Sequence, residues 1–125
     1  MTHKVLVVDD EPLMVRSWVR LFGTLGCETS ACFDGLTALE HLKKESFDVL
    51  VTDLRMPYFT GYDLLTALGD LRHPPERIFV CSAYIEDDDS LSQFNVTGVI
   101  PKPFNVREQV AFFRQLFHSS KKGER

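Results

Sequence analysis

Short apolar runs of strand length alternate along the chain with longer stretches in which apolar residues recur every three or four positions. This alternation repeats five times and is typical of a parallel sheet that helices cover on both faces. The predicted strands are Lys4–Val8, Cys27–Phe33, Phe47–Thr52, Arg77–Ser82 and Thr97–Ile100. The predicted helices are Leu13–Leu25 with Pro12 in its first turn, a second helix marked by Leu36, Leu39 and Leu42, Gly61–Leu71, Asp87–Phe94, and a last helix that Asn105 caps with Glu108 three residues on.

The connections between these elements limit the order of the strands. Crossovers between parallel strands are right-handed, so five β-α units favour a flavodoxin-like (βα)5 three-layer sandwich, an α/β fold with a parallel sheet of order 2-1-3-4-5. The polar second strand fits an edge of that sheet. The helix positions predicted to pack inward are Met14, Trp18, Leu21 and Leu25 on the first helix, Leu64, Leu65 and Leu68 on the third, and Val106, Val110, Phe113 and Phe117 on the last.

Two of the predicted helices carry more apolar positions than one inward stripe needs. This extra width predicts either a partner contact or a broad edge of the core, and the sequence leaves both open. The positions are Val15, Val19 and Phe22 on the first helix and Phe112 and Leu116 on the last.

Length and composition fit one globular domain. Of 125 residues 44% are hydrophobic, and 14 basic against 18 acidic side chains give a net charge of −4. An acidic chain argues against a nucleic-acid surface and a polybasic membrane anchor, and no apolar run is long enough to span a bilayer. Cys27, Cys32 and Cys81 lack metal-ligand spacing and are predicted to be buried thiols of a cytoplasmic protein. The domain is predicted to cover residues 3–118, with 119–125 as a loose polar tail or the start of a linker.

Polar side chains follow four of the five predicted strands, at the sheet edge where ligands of such folds bind. Carboxylates a few ångströms apart destabilise one another, and a hard divalent cation such as Mg²⁺ resolves that conflict. A metal, an ammonium and a hydroxyl around a carboxylate can receive a phosphoryl group on that carboxylate. No Gly-rich phosphate loop follows the first strand, which disfavours nucleotide binding of the usual kind. The side chains at the strand ends are Asp9, Asp10 and Glu11, then Asp53, then Ser82 and Ala83, and finally Lys102 between two prolines.

Four motifs in register carry a family resemblance. They are VLVVDDEP at the start, VTDLRMP followed by TGYDLL, CSA, and PKPF. Together they resemble the receiver domain of two-component response regulators over about residues 3–118. This resemblance implies a phosphoaccepting switch in a phosphorelay, with Asp53 as the phosphoacceptor. The donor would be a phosphohistidine on a sensor histidine kinase or a histidine phosphotransfer protein, which in this family docks on the first helix.

The resemblance also implies a role for each residue of the site. Asp10 and Asp53 would ligate Mg²⁺ directly, Asp9 mainly through water, and the backbone carbonyl of Arg55 would be a further ligand. Lys102 would pair with Asp53 and then with the phosphoryl oxygens, and the Lys102–Pro103 peptide would be cis. The Ser82 hydroxyl and the Ala83 amide would also bind the phosphoryl group. The resemblance finally implies a regulator with intrinsic autophosphorylation and autodephosphorylation activity rather than a conventional enzyme.

Two features depart from the family pattern. Val99 stands at the switch position, where the family has an aromatic residue, and the fourth predicted helix is short and acidic. The expected output is a change in the face made by that helix, the fifth strand and the last helix, which would also serve a homodimer. The alternative is a docking or dimerisation module whose output does not depend on phosphorylation.

In the family, the positions of Arg55 and Tyr84 tune dephosphorylation, and the bulk of these two side chains predicts a longer-lived phosphorylated form. A Mg²⁺-dependent phosphohydrolase is disfavoured because a D-x-D nucleophile motif and a cap insertion are absent.

Overall fold

The computed structural model describes residues 2–83 and 91–123, and these form strands and helices in strict alternation up to the fourth strand. The predicted type of each element that lies wholly within these residues is confirmed, with ends that shift by a few residues. The elements are β1 (Lys4–Val8), α1 (Pro12–Thr24), β2 (Glu28–Cys32), α2 (Gly35–Lys44), β3 (Val49–Thr52), α3 (Gly61–Leu68), β4 (Arg77–Ser82), β5 (Gly98–Pro101) and α4 (Val106–Gly123).

All strand pairs are parallel, and the sheet has the order β2-β1-β3-β4-β5, as predicted. The central strands β1 and β3 are apolar because helices cover both of their faces. The polar strand β2 lies at an edge, where one side of the strand meets solvent. Parallel pairing brings the carboxyl ends of all five strands to one edge of the sheet, and the site is built there.

Alternate residues of each strand enter two separate cores. On one face Leu6 and Leu50 pack against α2 and α3, and on the other Val7 and Val51 pack against α1 and α4. The second core contains most of the buried aromatic residues, with Trp18 stacked on Phe22 and Phe104 and in edge contact with Phe113.

The extra apolar width of α1 belongs to the core. Val15 and Phe22 are buried, Val19 is half-buried, and Trp18 and Leu21 are buried as predicted. Met14 and Leu25, which were predicted to face inward, pack against the same core from its margin. Of the two readings of this helix, the broad core edge is therefore the one that holds.

The last helix begins as predicted but differs from the prediction at two places. The backbone N–H of Glu108 donates to Asn105 Oδ1 at 3.0 Å, which confirms Asn105 as the cap. Val106 is exposed instead of inward, because the stripe enters the core only from the next turn, where Val110 packs. The tail 119–125, predicted to be loose, is helical as far as Gly123, because no helix breaker precedes that glycine and extending a formed helix is easy. Phe113 and Phe117 are buried, Leu116 packs at the margin, and Phe112 is 46% exposed.

Two other helices are rotated or shortened relative to the prediction. On α2 Leu36 is 55% exposed, because the helix turns its small residues inward: a Cβ on Gly35 would lie 2.6 Å from the Phe59 ring. Helix α3 ends at Leu68, where a glycine follows, although Leu71 still packs on the core. The predicted helix Asp87–Phe94 lies mostly outside the described residues, and its described part, 91–94, is a turn.

The cysteines are free thiols, as predicted. Cys32 and Cys81 are buried and Cys27 is half-buried. Burial raises the thiol pKa of Cys27 and Cys32 to about 11 and that of Cys81 to about 12, so all three are protonated at neutral pH.

Candidate functional site

The side chains predicted at the strand ends converge, because backbone hydrogen bonds hold the loops in line with the sheet. The N–H of Asp9 donates to the Cys32 carbonyl at 3.2 Å, and the N–H of Asp53 donates to the Val8 carbonyl at 3.0 Å. The N–H of Lys102 donates to the Ser82 carbonyl at 3.1 Å. Each residue therefore continues the ladder of its strand for one step and turns its side chain over the sheet edge.

Three carboxylates form the centre of the site. One oxygen each from Asp9, Asp10 and Asp53 lies within 4.8 Å of the others. Asp9 and Asp53 are buried, with 2% and 6% exposure, whereas Asp10 faces solvent. Three convergent carboxylates with one side open to water are the hard oxygen donors that Mg²⁺ takes, with solvent completing its octahedron. The residues present therefore fit that ion.

Lys102 supplies the positive charge of the site. Its Nζ lies 2.9 Å from Asp9 Oδ2, 3.0 Å from Asp53 Oδ2 and 3.0 Å from Glu11 Oε1. Burial alone would lower the pKa of this ammonium, but the hydrogen bonds to Asp9, Glu11 and Asp53 outweigh it and hold the pKa above its ordinary value. Lys102 is therefore charged at any pH at which the protein is studied. The peptide bond to Pro103 is cis, as the resemblance implied.

Asp53 is held from both sides. Its Oδ2 accepts from Lys102, and its Oδ1 accepts from the backbone N–H groups of Leu54 at 2.7 Å and Arg55 at 3.3 Å. Such hydrogen bonds to a carboxylate fix its rotamer and keep its oxygens oriented.

Gly61 lies directly behind Asp53. Its N–H donates to the Leu54 carbonyl at 2.9 Å, and a Cβ on Gly61 would overlap the Asp53 carbonyl oxygen. Helix α3 can begin this close to the backbone of Asp53 and Leu54 only because position 61 carries no side chain. This explains the glycine of the TGYDLL motif in physical terms.

The pKa of Asp9 is raised above its ordinary value. Burial raises this pKa, and the nearby charge of Asp53 raises it further, against the lowering effect of the hydrogen bonds from Lys102 and the Glu11 N–H. The ionised form of Asp9 is thus less favourable in the folded chain than in water, which a cation at the site would correct.

The remaining predicted residues that the structure describes differ in their exposure. Ser82 is buried at the end of β4, and Ala83 is exposed beside it. Arg55, two residues after Asp53, is exposed. Tyr84 lies outside the described residues. Val99 is 40% exposed in β5, three residues before Lys102.

Sequence reasoning missed the contact that Glu11 makes. The sequence places this residue after two aspartates and before the proline that opens α1. Its backbone carbonyl starts the helix, accepting from Met14 and Val15, while its side chain makes no cap bond and reaches Lys102 instead. A third acid at the end of a strand was the available signal.

Comparison with known proteins agrees with this geometry. The family model described as the response regulator receiver domain matches residues 5–114. Chemotaxis protein CheY-3 of Vibrio cholerae is 41% identical over 107 residues, which are 82% of this chain and 82% of that protein. The chain therefore belongs to the response regulator receiver domain family.

Solved structures agree with this family membership. Chemotaxis response regulator CheY4 of Vibrio cholerae superposes with a TM-score of 0.81 at 25% identity, covering 92% of this chain and 98% of that one. The receiver domain of sensor histidine kinase PA1611 from Pseudomonas aeruginosa has the same TM-score, 0.81, at 19% identity over 92% of this chain and 97% of that one, so its likeness concerns the fold. That structure has a magnesium ion coordinated in its active site cleft.

The fold and the site define a class of protein. This chain is a phosphoaccepting, CheY-like receiver of two-component signalling, with an acidic pocket of Asp9, Asp10 and Asp53 for Mg²⁺. Membership in this family implies a histidine kinase as partner. Within the described residues no helix is long and apolar enough to cross a membrane.

Proposed function

We propose that Asp53 is the residue that accepts the phosphoryl group, from a phosphohistidine on a sensor histidine kinase or a histidine phosphotransfer protein. The observation that carries this assignment is the position of Asp53 between Lys102, at 3.0 Å from Oδ2, and two backbone N–H groups at Oδ1. A carboxylate oxygen of Asp53 attacks phosphorus, the phosphorus–nitrogen bond of the donor breaks, and its electron pair leaves with the imidazole.

The neighbouring residues stabilise that transfer. Asp10 and Asp53 would hold Mg²⁺ directly, Asp9 would act mainly through water, and the Arg55 carbonyl would be a further ligand. When bound, the ion would supply positive charge for the phosphoryl oxygens. The ammonium of Lys102 exchanges an aspartate oxygen for a phosphoryl oxygen, and the Ser82 hydroxyl and the Ala83 N–H complete the contacts to that group. These side chains meet at one sheet edge, which supports the assignment.

The test is adduct formation on the purified chain. Acetyl phosphate or beryllofluoride is added with Mg²⁺, and intact mass or NMR shifts report the adduct. We expect one adduct on the wild-type chain, none on Asp53→Asn, and an unchanged yield on Asp70→Asn, which removes an exposed acid after α3. An adduct on Asp53→Asn, or its absence from the wild type, would contradict the assignment.

The face that carries the output is proposed to include β5 and α4, together with the region of the fourth predicted helix, and to serve a homodimer. Val99 and Phe112 are 40% and 46% exposed there and line one groove between β5 and α4. The exposed aliphatic Val99 also favours a second candidate, a docking module with phosphorylation-independent output. Sedimentation with and without beryllofluoride separates them: a change in oligomer size or partner affinity supports the switch, and an unchanged state supports the module.

The protein is proposed to be cytoplasmic.

Arg55 and Tyr84 are proposed to slow hydrolysis of the acyl phosphate by limiting access of water. This role is supported by the exposure of Arg55 and by its backbone N–H, which donates to Asp53 Oδ1 at 3.3 Å. Arg55→Ala is expected to shorten the phosphorylated lifetime several-fold, measured by decay of the adduct mass after donor removal. An equal or longer lifetime would refute the role.

A further inference from the structure

Lys102 has no spare hydrogen-bonding capacity in this structure. An ammonium has three N–H donors, and Asp9, Glu11 and Asp53 accept from Nζ at 2.9, 3.0 and 3.0 Å. Before Lys102 can bind an incoming phosphoryl oxygen, one of these acceptors must be released. The one most easily released is Glu11, because its side chain is 62% exposed while those of Asp9 and Asp53 are 2% and 7% exposed.

Glu11 also carries a charge that the rest of the site does not balance. Mg²⁺ and Lys102 together offset Asp9, Asp10 and Asp53, so the carboxylate of Glu11 is left over. Glu11 Oε1 and Asp53 Oδ2 both accept hydrogen bonds from Lys102 Nζ, each at 3.0 Å, so the two carboxylates are separated by this ammonium alone. A phosphoryl donor approaching Asp53 is anionic, and a like charge at this distance opposes it in proportion to the donor's own charge.

The side chain of Glu11 has no structural duty that would explain its position. It caps α1 through its backbone carbonyl alone and makes no side-chain cap bond. Its other contact, from its N–H to Asp9 Oδ1 at 2.9 Å, is also a backbone contact. Replacing the carboxylate by an amide therefore leaves the helix start and the Asp9 contact in place.

We propose, resting on the phosphoacceptor function above, that Glu11 is a positioning residue that holds Lys102 until transfer and makes the site discriminate among phosphodonors by charge. Donors of low negative charge, with phosphorus bonded to nitrogen as in phosphohistidine, are accepted. Dianionic acyl phosphates are disfavoured. In either case Asp53 forms the new bond to phosphorus, and the donor's P–N or P–O bond breaks with its electron pair on the leaving group.

The test compares two small donors on matched variants. Acetyl phosphate is a dianion at neutral pH and releases acetate, whereas phosphoramidate carries one negative charge less because its nitrogen is protonated, and it releases ammonia. Initial rates of adduct formation are measured by intact mass with Mg²⁺ on wild type, Glu11→Gln, Glu11→Asp and Glu40→Gln, an exposed glutamate of α2 that serves as control.

We expect Glu11→Gln to raise the ratio of the acetyl phosphate rate to the phosphoramidate rate by about fivefold at low ionic strength, and the gain to shrink with added salt. Glu11→Asp keeps the charge and is expected to keep the wild-type ratio, as is Glu40→Gln. An unchanged ratio in Glu11→Gln, or an equal change in Glu40→Gln, overturns the proposal. If the wild type forms no adduct with either donor, the phosphoacceptor function fails, and the inference fails with it.

A second readout needs neither donor nor metal. The ammonium signal of Lys102 in ¹H–¹⁵N NMR spectra is expected to be protected from rapid proton exchange in the wild type, because three carboxylates hold it. Glu11→Gln is expected to speed this exchange several-fold, since a neutral amide is the weaker acceptor. Identical exchange in both proteins would show that Glu11 does not hold Lys102.

Discussion

At the scale of single residues, the site places more negative charge in one buried spot than its single ammonium can balance. Asp9 and Asp53 are buried beside each other, and Asp10 closes the cluster from the solvent side. Burial of unbalanced charge costs stability. The folded chain tolerates this arrangement because Lys102 joins two of these carboxylates and Glu11 at hydrogen-bond distance.

The pKa of Asp9 gives this strain a measurable consequence. Because that pKa is raised in the folded chain, chiefly by burial, the ionised carboxylate destabilises the fold. Stability is therefore lost as the pH rises from the unfolded-state pKa, about 3.8, through the folded-state pKa. We expect Asp9→Asn, which keeps an oxygen acceptor, to have a higher free energy of unfolding than wild type at pH 7 in EDTA.

Urea unfolding between pH 4 and pH 7 checks this expectation. The advantage of Asp9→Asn should grow as the pH rises over the acid range and then level off. The exposed control Asp70→Asn should stay within about 0.5 kcal/mol of wild type throughout. A variant less stable than wild type at pH 7 without metal would show that the Lys102 contact matters more than the burial of charge.

At the scale of elements, local caps decide where helices begin near the site. Asp34 accepts from the Thr37 N–H at 2.8 Å at the start of α2, which lowers the Asp34 pKa. Thr60 and Asp63 form a reciprocal capping box at the start of α3. The second cap fixes the position of Gly61 and, through it, the loop that carries Asp53.

The cap at Asp34 predicts a graded loss of stability. Asp34→Ala removes the acceptor of the Thr37 N–H and is expected to lower the free energy of unfolding by about 1 kcal/mol, whereas Asp34→Asn keeps an acceptor and should cost only a few tenths. Because the Asp34 pKa is lowered, its charge contribution is present above the unfolded-state pKa and disappears as the pH falls through the folded-state value. Denaturant titrations at pH 7 check the order, and equal losses in the two variants would exclude the cap.

Replacement of glycine by alanine is expected to change the stability of the fold in opposite directions at two positions. At Gly61 a Cβ would meet backbone atoms of Asp53 and Leu54, which cannot yield without moving the acceptor, so Gly61→Ala should cost about 3 kcal/mol and slow phosphorylation. At Gly23, in the last turn of α1, a Cβ meets nothing within 4 Å, so Gly23→Ala should stabilise by about 0.5 kcal/mol. Thermal unfolding and adduct rates of both variants check this, and a well-tolerated Gly61→Ala would refute the close approach.

At the scale of the whole molecule, the parallel sheet gathers charges that are far apart in sequence. Lys102 contacts Glu11 and Asp53 across 91 and 49 positions of the chain. Because the site exists only when β1, β3 and β5 are aligned, any ion that binds it stabilises the complete fold rather than one element.

Magnesium is therefore expected to raise the stability of the chain. At a concentration ten times its dissociation constant, Mg²⁺ should add about 1.4 kcal/mol to the free energy of unfolding. Thermal melts in Mg²⁺ and in EDTA measure the gain, which should be strongly reduced in Asp10→Asn, because that variant removes one ligand that is not bonded to Lys102. An equal gain in Asp10→Asn would place the ion elsewhere.

Sequence reasoning located the sheet and the site because both depend on features that a sequence displays directly. The alternation of apolar periods along the chain predicted the strand order 2-1-3-4-5. The polar residues at the strand ends predicted the cluster of Asp9, Asp53 and Lys102, because parallel strands end at one edge of the sheet. Motif order then added the cis peptide before Pro103.

The errors arose where neighbours, and not the sequence pattern, decide the outcome. Leu36 belongs to the apolar period of α2 but faces solvent, because contact with Phe59 selects the glycine next to it. Val106 precedes the turn at which α4 reaches the core. The bond from Glu11 to Lys102 depends on a side-chain direction that spacing along the chain does not specify.

The aromatic core behind the site has an optical consequence. Trp18 is the only tryptophan of the chain, and its indole stacks on Phe104 with ring centroids 4.5 Å apart. Phe104 lies two residues beyond Lys102, whose ammonium donates to Asp53 Oδ2 at 3.0 Å. Any shift of the segment 102–104 changes the surroundings of a single fluorophore, so the protein carries an intrinsic emission probe of its own occupancy and needs no attached dye.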